Sequence, residues 1–104
     1  MLEFDKKNFE EEVLNADGYV LVDYWSPKCE PCMELMPQVT ELAEKYGDQI
    51  KFGKLNIVQN RRLAISQKVL GLPTIILYKG GEKVWELSKD FTIEDLEGKI
   101  KETL

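Results

Sequence analysis

Val20-Leu-Val-Asp23-Tyr-Trp25-Ser-Pro-Lys-Cys29-Glu-Pro-Cys32-Met-Glu-Leu-Met-Pro37 is the stretch whose division into elements decides the fold. Its first six residues are almost wholly apolar, rich in valine and aromatics, and stopped by Ser26-Pro27, which reads as a short buried strand. One acid, Asp23, interrupts it. The only two cysteines of the chain follow as Cys29-Glu30-Pro31-Cys32, and a helix-periodic run comes after them, with Met33, Met36, Val39, Ala43 and Tyr46 on one side. The cysteine pair therefore lies where a strand hands over to a helix. Pro31 suits a helix start, where its missing N–H would have had no partner. That places Cys29 at the helix N-terminus, where unpaired N–H groups and a partial positive charge favour a thiolate and make the first cysteine nucleophilic.

Working outward, residues 1–4 read as a short edge strand, and Asp5 is placed to cap a helix carrying Phe9 and Val13 at four-residue spacing. Asp17-Gly18 turns the chain into the central strand. Pro37 is expected to kink the following helix for want of one hydrogen bond, and Gly47-Asp48 ends its pattern. Residues 50–57 form the next strand, with Ile50, Phe52 and Lys54 on one face and Leu55 and Ile57 on the other. Asn60 is expected to cap a helix running to about Val69 and closed by Gly71. Thr74–Tyr78 reads as a buried strand, Gly80-Gly81 as a hairpin turn and Lys83–Leu87 as its partner. Thr92-Ile-Glu-Asp95 opens a last helix with Ile93, Leu96, Ile100 and Leu104 on one stripe. Strands alternating with helices and finishing in a hairpin imply an α/β chain: a mixed sheet covered by helices on both faces, in one domain over residues 1–104.

Composition narrows the partners. The 104 residues carry 14 basic and 19 acidic side chains, a net charge of -5, which attracts neither phosphate backbones nor anionic lipid. The N-terminal residues lack the apolar core of a signal peptide and no apolar run approaches the roughly 18 residues of a membrane span, so a cytoplasmic location is expected. There is no histidine, which removes Ser-His and Cys-His catalysis and leaves carboxylates or water as proton acceptors. Two cysteines cannot complete a four-ligand structural zinc site, and no metal is expected.

A disulfide across Cys29 and Cys32 could be a structural staple or a working redox pair. So short a loop gives a staple only about 2 kcal/mol, against nearly 5 kcal/mol for a loop of roughly 100 residues. The redox reading is therefore preferred; inert thiols or a metal shared between two copies are the alternatives. Access assigns the roles: Cys29 attacks a substrate disulfide, and Cys32, one turn inside, resolves the mixed disulfide. Asp23 is either an exposed edge residue or a buried carboxyl of raised pKa able to take the proton from Cys32.

The run Trp25-Ser-Pro-Lys-Cys29-Glu-Pro-Cys32, together with Val22-Asp23-Tyr24, Lys54-Leu-Asn-Ile57 and Gly71-Leu-Pro73-Thr74, resembles thioredoxin over nearly the whole chain. The resemblance implies the thioredoxin fold, with a central five-stranded mixed sheet, and protein-disulfide reduction with no cofactor beyond the Cys29–Cys32 disulfide. It gives Asp23 the acid/base role, with Lys54 as its electrostatic neighbour. It makes the Leu72–Pro73 bond cis and faces it to the dithiol, with the Leu72 backbone free to pair with substrate. Trp25, Glu30, Pro31, Leu72 and Pro73 are the expected substrate-facing residues. The implied partners are a flavin-dependent thioredoxin reductase and protein disulfides, and the implied state is a monomer. The chain departs from the family at Lys28, Glu30, Met33 and Lys89, where tryptophan, glycine, lysine and glycine are usual. Glu30 raises and Lys28 lowers the Cys29 pKa by comparable amounts, so these departures are expected to alter mainly which partner docks. The Cys-Glu-Pro-Cys variant resembles thioredoxins that serve glycine-reductase systems of amino-acid-fermenting anaerobes. The rival readings are a non-catalytic module of the same fold and a metal-sharing C-x-x-C dimer.

Overall fold

In the computed structural model, which describes residues 1–104, the strands are β1 (Leu2–Phe4), β2 (Tyr19–Trp25), β3 (Ile50–Asn56), β4 (Thr74–Lys79) and β5 (Glu82–Ser88). They form one sheet in the order β1-β3-β2-β4-β5. β3 pairs parallel with both β1 and β2, whereas β4 runs antiparallel to β2 and β5. The helices are α1 (Glu30–Tyr46), α2 (Arg61–Ser66) and α3 (Ile93–Thr103), and a π-helical turn spans Glu10–Leu14.

β2 is the central strand, and its near-continuous apolar run follows from burial on both faces. Val20, Val22 and Tyr24 pack with Phe9, Val13 and Ala64 on one side, and Leu21 packs with Leu35, Val39 and Leu96 on the other. Alternation along the strand sends Asp23 to the side of Leu21, toward α1 and α3. β3 divides as expected, Ile50 and Phe52 joining the α1 side and Leu55 and Ile57 the other.

Five local expectations need correction. The buried stripe of α1 is Cys32, Leu35, Val39 and Leu42, so Met33 stands outside it, 46% exposed. The Phe9–Val13 helix closes by a five-residue step, Asn15 N–H to the Glu10 carbonyl, which packs both side chains while leaving the α register. Asp5 caps the turn that leads into it, Oδ1 accepting from the N–H groups of Lys7 and Asn8, while the helix itself begins after Phe9 with no side-chain cap. Asn60 precedes α2, but its side chain does not cap it; Oδ1 accepts from Lys6 N–H and Nδ2 donates to the Asn56 carbonyl. α2 ends at Ser66 rather than near Val69, because Lys68 takes the left-handed conformation (φ 62°) that terminates helices. At the last helix Thr92 and Asp95 form the expected reciprocal cap, whereas Leu104 lies outside the buried stripe at 47% exposure.

Gly80 and Gly81, with φ of 61° and 81°, form the two-residue hairpin turn between β4 and β5. A Cβ on Gly81 would stand 2.6 Å from the Leu14 carbonyl oxygen, a backbone atom that cannot swing aside. Gly81→Ala combines that overlap with a left-handed backbone, and we expect a loss of about 2 kcal/mol or more. Urea unfolding checks this; a midpoint equal to the parent's would show that the hairpin can move off the Glu10–Leu14 turn.

Strand directions gather five segments at one edge of the sheet. β1, β3 and β2 end there side by side, with Phe4 opposite Leu55 and Trp25 opposite Asn56. β4 starts there and β5 ends there, Thr74 lying opposite both Tyr24 and Ser88. The segments following β1, β3, β2 and β5, and the one preceding β4, therefore share one end of the molecule.

Candidate functional site

The turn leaving β2 is fixed by two hydrogen bonds. Cys29 N–H donates to the Ser26 carbonyl (3.0 Å), and the buried Ser26 hydroxyl accepts from Lys28 N–H (3.1 Å). This delivers Cys29 to the N-cap of α1 in an extended conformation, with Pro31 in the first turn where no N–H is needed. Cys29 and Cys32 are joined as a disulfide with Cα atoms 5.3 Å apart. Their surroundings differ: Cys32 is buried at 1% exposure, while Cys29 is half-buried and its sulfur accepts from Cys32 N–H (3.3 Å). A first-turn N–H aimed at the outer sulfur is the arrangement that stabilises negative charge there.

Asp23 is 1% exposed in the central strand, so it is no edge residue, and neither carboxylate oxygen has a hydrogen-bond partner. Burial pushes its pKa up from 3.8 to about 7, and the charge of Lys54 pulls it back part of the way. Lys54 stands directly opposite Asp23 in the β2–β3 register and its Nζ lies 5.6 Å from the centre of the Trp25 ring. Trp25 is half-buried, and its indole N–H, like Asp23, has no partner. Two unpaired polar groups thus sit within the last three residues of β2, the strand whose end leads into the disulfide turn.

The Leu72–Pro73 peptide bond is cis, at the end of the sheet that also carries the disulfide. Leu72 precedes β4 by two residues, and its N–H and C=O take part in none of the turn or loop hydrogen bonds of the chain. The Pro73 carbonyl accepts from Lys89 N–H (2.8 Å). Lys89 occupies the left-handed region (φ 67°), a conformation that glycine adopts without steric cost. Its side chain covers Gly71, where an added Cβ would overlap it. Glu30 is exposed on the first turn of α1.

Sequence reasoning missed the cleft beside these groups. Its volume is about 350 Å³, and its walls include Pro31, Glu34 and Gln38 from α1, Pro73, and Lys89, Phe91 and Glu94 from the stretch after β5. No periodic signal marks it, because it is assembled from three separated segments. A larger hollow of about 540 Å³ lies between Met1, Thr40, Gly47 and Phe52 and contains none of the groups just described.

The thioredoxin family model matches residues 1–102. The chain is 54% identical over 102 residues to a thioredoxin of Acetoanaerobium sticklandii, covering 97% of each. It is 61% identical over 90 residues to a thioredoxin of Peptoclostridium acidaminophilum, 86% of this chain and 82% of that one. With a thioredoxin of Pseudomonas aeruginosa it shares 44% identity over 86 residues, 79% and 80% of the two chains.

Proposed function

The chain belongs to the thioredoxin family and is a thiol-disulfide oxidoreductase that reduces protein disulfides; from that premise we propose how its own residues divide the work. The Cys29 thiolate attacks one sulfur of a substrate disulfide, forming a mixed disulfide and expelling the other sulfur as a thiolate that takes up a proton. Cys32 loses its proton to Asp23 and attacks the Cys29 sulfur, so the Cys29–Cys32 disulfide forms, the bond to substrate breaks and the second substrate sulfur leaves as a thiolate that is then protonated. Two electrons pass to the substrate, and Asp23 returns its proton to solvent or the leaving group. The observation that carries this reading is a disulfide at the α1 N-terminus, with Cys29 half-buried and Cys32 buried, following a strand that holds a buried and unpartnered Asp23 on the α1 side of the sheet.

Lys54 tempers the Asp23 pKa, and Trp25, Glu30, Pro31, Leu72 and Pro73 form the face that meets the substrate. The unpaired backbone of Leu72 is suited to pairing with an extended substrate segment. Thioredoxins are reduced by a thioredoxin reductase; here we propose a flavin-dependent one, with the dithiol itself as sole electron carrier. A monomer working in the cytoplasm for redox homeostasis, and supplying a glycine-reductase-type system, completes the proposal. The direct test is turnover of insulin disulfides with a small dithiol as electron donor; absence of catalysis above the dithiol alone would leave only the fold.

Glu30 tunes the couple. At a separation of about 7 Å a unit charge acts on the Cys29 thiolate by roughly 0.6 kcal/mol at the dielectric of water and roughly 2.4 kcal/mol at an effective value near 20. The negative charge disfavours the thiolate and so stabilises the reduced form less. Glu30→Gly should therefore be more oxidising, by roughly 10 to 50 mV at low salt, shrinking as salt is added. Equilibration of both proteins with glutathione at two ionic strengths measures this; an unchanged or more negative potential would assign Glu30 to partner recognition alone.

A further inference from the structure

We propose that Lys6, Lys7, Arg61 and Arg62 form a docking surface for acidic protein partners of the dithiol. The proposal rests on the disulfide-reductase reading and adds to it the chemical character of one flank of the partner.

All four side chains are exposed, and none makes an ion pair, the three salt bridges of the chain being made by Lys45, Lys51 and Lys83. The pairs come from segments more than fifty residues apart and are held together by the buried Asn60, whose Oδ1 accepts from Lys6 N–H (2.9 Å). The acid that lines the hollow with them, Asp5, has an oxygen occupied by the N–H groups of Lys7 and Asn8, and the exposed Glu10 and Glu11 that follow in the chain pair with neither lysine. Two adjoining hollows, of about 240 and 200 Å³, are lined by this cluster. Four unpaired cations gathered on a chain of net charge -5 create a local positive field that the remaining surface opposes.

Topology puts this field beside the reaction. Lys6 and Lys7 follow β1, Arg61 and Arg62 follow β3, and Cys29 follows β2, three adjacent strands ending at the same edge. Two strand spacings amount to about 10 Å, well inside the footprint of an ordinary protein interface. Beyond the dithiol, on the β4 side, the cleft carries Glu34 and Glu94 against the single cation Lys89, and Glu30 stands exposed nearby, so that flank is acidic on balance. A partner engaging the disulfide is thus attracted through acidic groups on its β1–β3 flank and repelled by them on the other. This asymmetry favours a protein surface over a uniformly charged polyanion such as nucleic acid.

The test uses three synthetic peptides sharing one disulfide core: one neutral, one with five glutamates on the N-terminal side, one with the same run on the C-terminal side. Five extended residues reach about 17 Å, enough to span the two strand spacings. The wild-type protein should reduce one of the two acidic peptides at least about 5-fold faster than the neutral one at low ionic strength, with the advantage fading near 0.5 M salt. The double variant Arg61→Glu/Arg62→Glu should lose that advantage while reducing the neutral peptide within about 2-fold of wild type. Arg61→Gln/Arg62→Gln should fall between them, which separates charge from any misfolding of the reversed protein. An advantage that survives charge reversal, or no preference in the wild type, overturns the proposal, as does a neutral-peptide rate that falls by the same factor. Tighter binding of a DNA duplex than of either acidic peptide would reassign the patch to nucleic acid and overturn it too. Failure of the wild-type protein to reduce the neutral peptide would instead strike the dithiol reading itself, and the docking surface with it.

Discussion

Cys29→Ser should reduce insulin no faster than the dithiol donor does alone, while Cys32→Ser should make one attack and then stop. The asymmetry follows from burial and position. Only the Cys29 sulfur is open to a macromolecular disulfide, and only it sits at the N-terminus of α1 with an N–H directed at it. Serine in its place has an alcohol whose ionisation the helix N-terminus cannot bring near neutral pH, so the nucleophile is lost outright. Cys32, at 1% exposure, cannot reach an outside disulfide but stands ready to attack the sulfur of Cys29. Its replacement by serine should therefore accumulate covalent adducts of Cys29 with substrate, visible by mass spectrometry and dispersed by excess dithiothreitol. Multiple turnovers by Cys29→Ser would reverse the assigned order of the cysteines.

Asp23→Asn should stabilise the protein above neutral pH and slow the second chemical step. The folded chain holds the Asp23 proton up to about pH 7, whereas the unfolded chain releases it near 3.8. Between those values the folded state binds more protons, so stability falls as pH rises through this window and levels off above it. The full deficit is about 4 kcal/mol, each tenfold gain in proton affinity on folding contributing about 1.4 kcal/mol. Asparagine does not titrate, so the variant should match wild type near pH 4 and exceed it by an amount approaching that figure at pH 8. Urea midpoints at the two pH values measure this; parallel pH profiles would mean that Asp23 is ionised and solvated in solution. In the same variant, release of substrate from the mixed disulfide should be slow at neutral pH and should lose the rise through about pH 7 that an Asp23 base gives the parent. Equal release rates would remove Asp23 from the chemistry while leaving its effect on stability intact.

What the sequence reveals here depends on how local the cause is. The strand of β2, the N-terminal position of Cys29, the Gly80-Gly81 turn and the Thr92 cap are written in adjacent residues and are read correctly. Asn60 misleads because the partner its side chain selects, Lys6 N–H, is distant in sequence. The end of α2 misleads because Lys68 adopts a left-handed conformation with no glycine to announce it. The stripe of α1 reads out of phase from sequence, since Met33 and Leu35 are both apolar and only packing on the sheet decides between them. At the site, alternation along β3 foresees the face of Lys54, and only pairing with β2 sets it opposite Asp23. The cis bond at Pro73 is legible through family resemblance alone, because an X-Pro bond is cis in only about 5 to 6% of folded cases. The cleft walled by Glu34 and Phe91, and the meeting of Lys6 with Arg61, emerge only from the strand order.

That strand order also settles where the ends of the polypeptide go. Met1 borders the hollow formed with Gly47 and Phe52, away from the dithiol edge. α3 starts beside the reactive cleft and runs away from it, bringing Thr103 against the indole of Trp85 (2.8 Å) part-way down β5. Both termini therefore leave from behind the dithiol edge, about level with the middle of the sheet. A tether to a bead, an electrode or a second protein, attached at either terminus, would hold the dithiol facing outward. Two copies joined in tandem would present their reactive edges without the linker crossing them.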